Sequence, residues 1–98
     1  MEEKFYSQQN VMAVRKSLRY STNIHDSEIS DTIKDCISDL KLAGVDFSKV
    51  SPASVLMAIK LYCKWIFDYN NKGDSWQTAY ELKVKSLSLD SKGGDSDG

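Results

Sequence analysis

The chain has 98 residues, with 13 Lys plus Arg, 14 Asp plus Glu and one His, for a formal net charge of −1. That length fits one domain, and 41% apolar with 28% charged residues is an ordinary globular mixture rather than a disordered chain. No apolar run approaches the ~18 residues of a membrane span, the acidic start Met1-Glu2-Glu3-Lys4 is followed by no apolar region and predicts no secretory signal, and the near-neutral balance weighs against a protein built mainly to grip nucleic acid.

Helical periodicity runs through the chain, and strict alternation over a strand length does not occur. The first predicted helix opens at Ser7 as N-cap, with Tyr6 and Val11 placed for a hydrophobic staple. Val11, Val14 and Leu18 repeat at helical spacing, Arg15, Lys16 and Arg19 suit the C-terminal end, and Ser21-Thr22-Asn23 predicts a stop near Tyr20. The second helix is capped by Asp26, with Glu28 in its first turn. Ile29, Ile33, Cys36, Ile37, Leu40 and Ala43 form one stripe about 120° wide at ~100° per residue. Gly44 follows at a position that favours a left-handed backbone, and Val45 can fold back on Leu40.

The third helix starts at Ser51-Pro52, a favoured N-cap followed by the residue best suited to the first helical position. Val55, Ala58, Ile59, Tyr62, Ile66 and Tyr69 make its inward stripe, expected to receive Ile29, Ile33, Ile37 and Leu40. Met57, Leu61, Trp65 and Phe67 extend the apolar surface beyond that stripe, while Lys60, Lys64 and Asp68 share an outer face. After a turn at 70–74, Asp74 or Ser75 caps a fourth helix in which Trp76, Tyr80, Val84 and Leu87 share a face. The expected fold is all-α, a small orthogonal bundle of about four helices in a single domain over 1–89. Residues 90–98, without an apolar side chain, read as a flexible, disordered tail.

Catalytic chemistry has little to stand on, and no catalytic, cofactor-binding or metal-ligating residue is expected. His25 and Asp26 are adjacent, but no Ser or Cys is placed as a nucleophile, so His25 reads as a surface or capping-turn residue. Cys36, Cys63 and His25 do not match zinc spacing. Both cysteines fall on or beside apolar stripes and read as small buried hydrophobes, in a reducing cytoplasm. The only Gly-Gly lies in the tail, so there is no phosphate loop. A helix-turn-helix would need a polar, basic recognition helix; the candidate, 52–70, is the most apolar helix, and the turn before it exceeds the usual three or four or so residues.

Charge is distributed unevenly. From 26 to 46 the acids Asp26, Glu28, Asp31, Asp35, Asp39 and Asp46 face only Lys34 and Lys41, whereas lysines dominate from 47 to 92. Glu28, Asp35 and Asp39 share one flank of the second helix. Ordinary solvated flanks would explain this; so would a patch and counter-patch making head-to-tail contacts that close into a ring. In the latter case Glu28, Asp35 and Asp39 face Lys60 and Lys64 of a neighbour, around an apolar centre of Met57 and Leu61.

Residues 14–89 resemble the head–tail connector proteins (head-completion adaptors, some described as possible DNA packaging proteins) of long-tailed double-stranded DNA bacteriophages and prophages. The resemblance rests on Val14-Arg15-Lys16-Ser17-Leu18-Arg19-Tyr20, on Ile29 and Ile33, and on Asp39-Leu40-Lys41-Leu42-Ala43-Gly44-Val45. It continues through Ala58-Ile59-Lys60-Leu61-Tyr62-Cys63-Lys64, Phe67-Asp68-Tyr69, Tyr80-Glu81-Leu82 and Leu87-Ser88-Leu89. It implies a structural protein of the virion neck, assembled in the host bacterial cytoplasm as a homo-oligomeric ring. That ring would sit between the portal protein and the stopper or tail-joining proteins, with DNA only passing through the lumen and no membrane or cofactor involved. Gly44, Ala58, Tyr62 and Phe67 are the positions that carry over. The chain departs from the family in the lead before Met12 and in its Gly/Asp-rich tail. The alternatives are a small helical nucleic-acid-binding regulator and a helical toxin–antitoxin or chaperone-like partner that forms a closed dimer.

Overall fold

Three of the four helices end in the same way, and those endings set the shape of the chain. The computed structural model describes residues 2–93 and shows an all-α bundle: a 3-10 turn over Glu2–Tyr6, then α1 (Gln8–Ser17), α2 (Asp26–Leu42), α3 (Pro52–Ile66), a second 3-10 turn at Tyr69–Asn71, and α4 (Gly73–Gly93). No strand occurs among the described residues.

Helix α1 begins as its sequence dictates, with the Ser7 hydroxyl accepting the Asn10 backbone N–H at 3.3 Å. The apolar lead-in differs from the expected staple: Phe5 is the buried ring, 5.4 Å from Phe47, and Tyr6 is only half-buried. The helix ends at Ser17, short of Tyr20. Arg19 turns left-handed at φ 61°, and the N–H groups of Arg19 and Tyr20 return to the carbonyls of Lys16 and Arg15. Gly44 does the same for α2 at φ 90°, with Gly44 N–H on the Lys41 carbonyl and Val45 N–H on the Leu40 carbonyl, 3.0 Å away. Asp68, at φ 51°, closes α3.

Asp26 does not cap α2. His25 occupies the N-cap position without a side-chain bond to the helix backbone, and the Asp26 carboxylate instead accepts from Arg15 Nε and Nη2 at 3.1 and 3.3 Å. The guanidinium is within reach because α1 packs on α2, and a bidentate charged bond outcompetes a cap bond. Along α2, Ile29, Ile33, Cys36, Ile37 and Leu40 are buried as their spacing requires, whereas Ala43, at the C-cap, is exposed.

In α3, Ser51 accepts the Ser54 N–H at 3.1 Å and Pro52 follows at the first turn. Val55, Ala58, Ile59 and Cys63 are fully buried. Ile66, read as inward, is 48% exposed, and Tyr69 lies outside the helix, because the chain leaves α3 before it can complete another turn. Leu61 is half-buried against the core rather than projecting outward. Helix α4 is not capped by Asp74 or Ser75: it begins at Gly73, whose N–H donates to Asp68 Oδ1 at 2.8 Å.

Helix α4 packs chiefly on α3, burying Tyr80 and Leu87. It continues past Leu89 to Gly93, so residues 90–93 are helical rather than tail. The reason is polar: the buried Ser91 hydroxyl donates to the Leu87 carbonyl at 2.9 Å and accepts the Asp46 N–H at 2.7 Å, tying this end of α4 to the loop after α2. The remainder of the predicted tail, 94–98, lies outside the described residues.

Candidate functional site

The acidic flank of α2 is exposed along its length, at Glu28, Asp31, Asp35 and Asp39. Its members differ in what they touch. Glu28 Oε1 lies 3.4 Å from His25 Nδ1, and the His25 ring packs at 4.5 Å from Tyr20, tilted by 37°. Asp39 Oδ2 accepts the Tyr80 hydroxyl at 2.6 Å. Burial, with the charges of Asp35 and Asp39 nearby, pushes the Tyr62 phenol above its ordinary value, so the negative field of this flank reaches α3.

The lysines of α3 are not on a free outer face. Lys60 and Lys64 are half-buried and line a groove of ≈ 640 Å³ against α1, where Lys16, Met12 and Gln9 complete its walls. Lys64 Nζ stands 4.6 Å from the centroid of Trp76 and 5.4 Å from that of Tyr69, so its ammonium is held against two rings. Asp68 has left this face to cap α4. Lys16 is the member of the basic groove that the α3 pattern could not reveal, since its place depends on how α1 packs.

Met57, Lys60 and Lys64 recur at i, i+3 and i+7, hence on one side of α3. Met57 is 54% exposed and is the apolar residue of that side open to contact; Leu61 is largely committed to the core. The acidic residue Asp39 lines a different depression, with Tyr62, Trp65 and Tyr80. Acidic and basic surfaces thus lie against opposite flanks of α3. Of the other singled-out positions, Gly44 terminates α2, Ala58 is fully buried, Tyr62 is half-buried among rings, and Phe67 meets Tyr20 edge-on at 6.3 Å.

Cys36 and Cys63 are free and fully buried; burial pushes the Cys36 thiol up to about 12 and raises that of Cys63 as well, which leaves both protonated and unreactive near neutrality. Among the described residues no three His, Cys, Asp or Glu side chains are grouped to hold a metal ion, and no helix is long and apolar enough to cross a membrane. The arrangement offers charged and apolar contact surfaces. No family model matches the chain, and no curated protein or solved structure matches it.

Proposed function

We propose that this protein is a structural adaptor of the phage head–tail connector type, acting by protein–protein contact and assembling head-to-tail as a ring between portal and tail-joining proteins. The carrying observation is that an exposed acidic flank and a lysine-lined groove lie on opposite sides of α3 in one small bundle. Surfaces that complement each other but not themselves favour heterologous contacts, which close into rings when the rotation permits. The order of sequence pieces over residues 14–89 supports the same reading. So does Met57, an apolar residue exposed beside the lysines. On this reading the protein works in the host bacterial cytoplasm during assembly and ends in the virion neck, and DNA meets it only in the lumen.

Charge reversal tests the contact. Lys60→Glu in the groove sets like charges against each other and should slow and weaken ring assembly, and Asp35→Lys in the same chain should restore it. Sedimentation across a concentration series, with and without a portal, and negative-stain imaging give the readout. A closed dimer indifferent to both changes would sink the reading.

The three-lysine groove favours one second reading, a nucleic-acid-binding regulator. A sequence-dependent complex of nanomolar strength at physiological salt would select it over the adaptor.

A further inference from the structure

Between α2, α3 and α4 lies a pocket of ≈ 240 Å³ lined by Asp39, Tyr62, Trp65, Tyr80, Glu81 and Val84. Three of the six are aromatic, two are carboxylates, and none is basic. Tyr62 makes edge-to-face pairs with both other rings, at 5.5 Å and 84° with Trp65 and at 5.0 Å and 62° with Tyr80. Trp65 and Tyr80 lie at 34° to each other, 6.0 Å apart. The rings therefore pack as one cluster beside the pocket, with Tyr80 buried at its base and Tyr62 and Trp65 half-buried at its wall.

Asp39 is fixed at the rim by the 2.6 Å bond from the Tyr80 hydroxyl, and Glu81 follows Tyr80 directly on α4. Ring faces attract cations through their quadrupoles, and rim carboxylates add a field of the same sign. Burial is the main reason the Tyr62 phenol is raised, and the nearby charges of Asp35 and Asp39 add to it; those charges, which disfavour a phenolate, favour a cation.

The molecule already contains the same construction, filled by its own chain. Tyr69 and Trp76 lie 6.1 Å apart at 57°, and the Lys64 ammonium stands at 5.4 and 4.6 Å from their centroids. The second pocket offers two half-buried rings, Tyr62 and Trp65, over the buried Tyr80, and adds two carboxylates. We propose that the Tyr62–Trp65–Tyr80 pocket binds an organic cation, an ammonium nitrogen bearing alkyl carbons. The source is either a lysine side chain of a partner protein or a free alkylated amine. The pocket volume admits such a head group and its first carbons, and Val84 supplies apolar contact for them. This site stands independently of the adaptor reading.

The test is a titration of the full chain with tetramethylammonium, n-butylammonium and a doubly blocked lysine, each against tert-butanol as neutral isostere and sodium chloride as ionic control. The readout is the two tryptophan indole N–H resonances. The expected result is a saturable shift at Trp65 with each ammonium and none with sodium chloride or tert-butanol. Asp39→Asn, which can still accept the Tyr80 hydroxyl, and Glu81→Gln, at an exposed position, should each weaken binding about threefold to tenfold. Tighter binding of blocked lysine than of n-butylammonium would identify a protein side chain as the ligand. Tighter binding of tetramethylammonium would identify a methylated amine. Equal response to tert-butanol, no saturable shift at Trp65, or unweakened binding in both folded carboxylate variants would overturn the proposal.

Discussion

The Tyr80 hydroxyl donates to Asp39 at 2.6 Å, across 41 positions of sequence, and joins the middle of α4 to the last turn of α2. The ring end of Tyr80 is buried against Tyr62 and Trp65, while Asp39 is exposed. Tyr80→Phe therefore keeps the packing and removes the bond to a charged acceptor that water can still reach, together with the weak 3.9 Å contact in which the Cys36 thiol donates to the same hydroxyl. The expected loss is about 1–2 kcal/mol, since Asp39 is rehydrated and the buried Cys36 thiol left behind is only a weak donor. Urea unfolding measures it; a loss of several kcal/mol would mean that Asp39 is not hydrated in the variant.

Stability should fall at alkaline pH. Cys36 is raised by burial from 9.0 to about 12, and burial also raises Cys63, Tyr62 and Tyr80. Each group is neutral in the fold and ionises first in the unfolded chain, so the unfolded state loses protons before the folded one. The contribution from Cys36 is complete below pH 9.0 and is lost progressively as pH rises toward about 12. Urea midpoints measured from pH 7 upward should decline beyond about pH 9, and Cys36→Val should lessen the decline.

The helix endings give a pair of predictions with opposite signs. Gly44 sits at φ 90°, and an added Cβ would meet nothing closer than the Ser88 hydroxyl at 4.0 Å. Gly44→Ala should thus cost about 1 kcal/mol through backbone conformation alone. Arg19 holds the corresponding place after α1 at φ 61° and is exposed. Arg19→Gly should stabilise by roughly 0.5–1 kcal/mol, because it relieves the left-handed conformation at a site outside the helix interior. Thermal unfolding of the two variants should move in opposite directions.

These endings also mark what the sequence could and could not disclose. Gly44 advertises a left-handed residue; Arg19 and Asp68 do not, so the ends of α1 and α3 were expected too late. The apolar stripe of α2 was legible because one face of one helix decides it. Leu61 and Ile66 were not, since their exposure depends on where α4 lies across α3. Ser91 hid the end of α4, because its polar side chain reads as tail until Asp46 N–H is found bonded to it. The acidic flank of the candidate interface could be read from helical spacing, whereas the groove joining Lys16 to Lys60 and Lys64 needed the packing of α1 on α3.

Arg15 and Asp26 should couple measurably. Their side chains are 22% and 18% exposed, and the contact is bidentate. Partial burial and fork geometry lift such a pair above the 0–1 kcal/mol typical of a solvated surface bridge, to about 1–2 kcal/mol. A double-mutant cycle with Arg15→Gln and Asp26→Asn isolates the term. Additive losses would show that the pair places α1 on α2 without stabilising the contact.

Met57 and Leu61 separate fold from assembly. Met57 is 54% exposed, so Met57→Asp should change unfolding free energy by no more than about 0.5 kcal/mol. Leu61 packs against the core, and Leu61→Asp places a carboxylate there, at a cost of roughly 2 kcal/mol or more. If Met57 lies at the centre of the proposed head-to-tail contact, Met57→Asp should eliminate the ring while its urea midpoint stays unchanged. The charges around it supply orientation and rate more than affinity, so raising salt should slow assembly of the unaltered protein without preventing it. Sedimentation and denaturation of both variants decide the matter together. A stable Met57→Asp protein that still forms rings would move the contact away from this side of α3, and an unfolded one would place Met57 in the core.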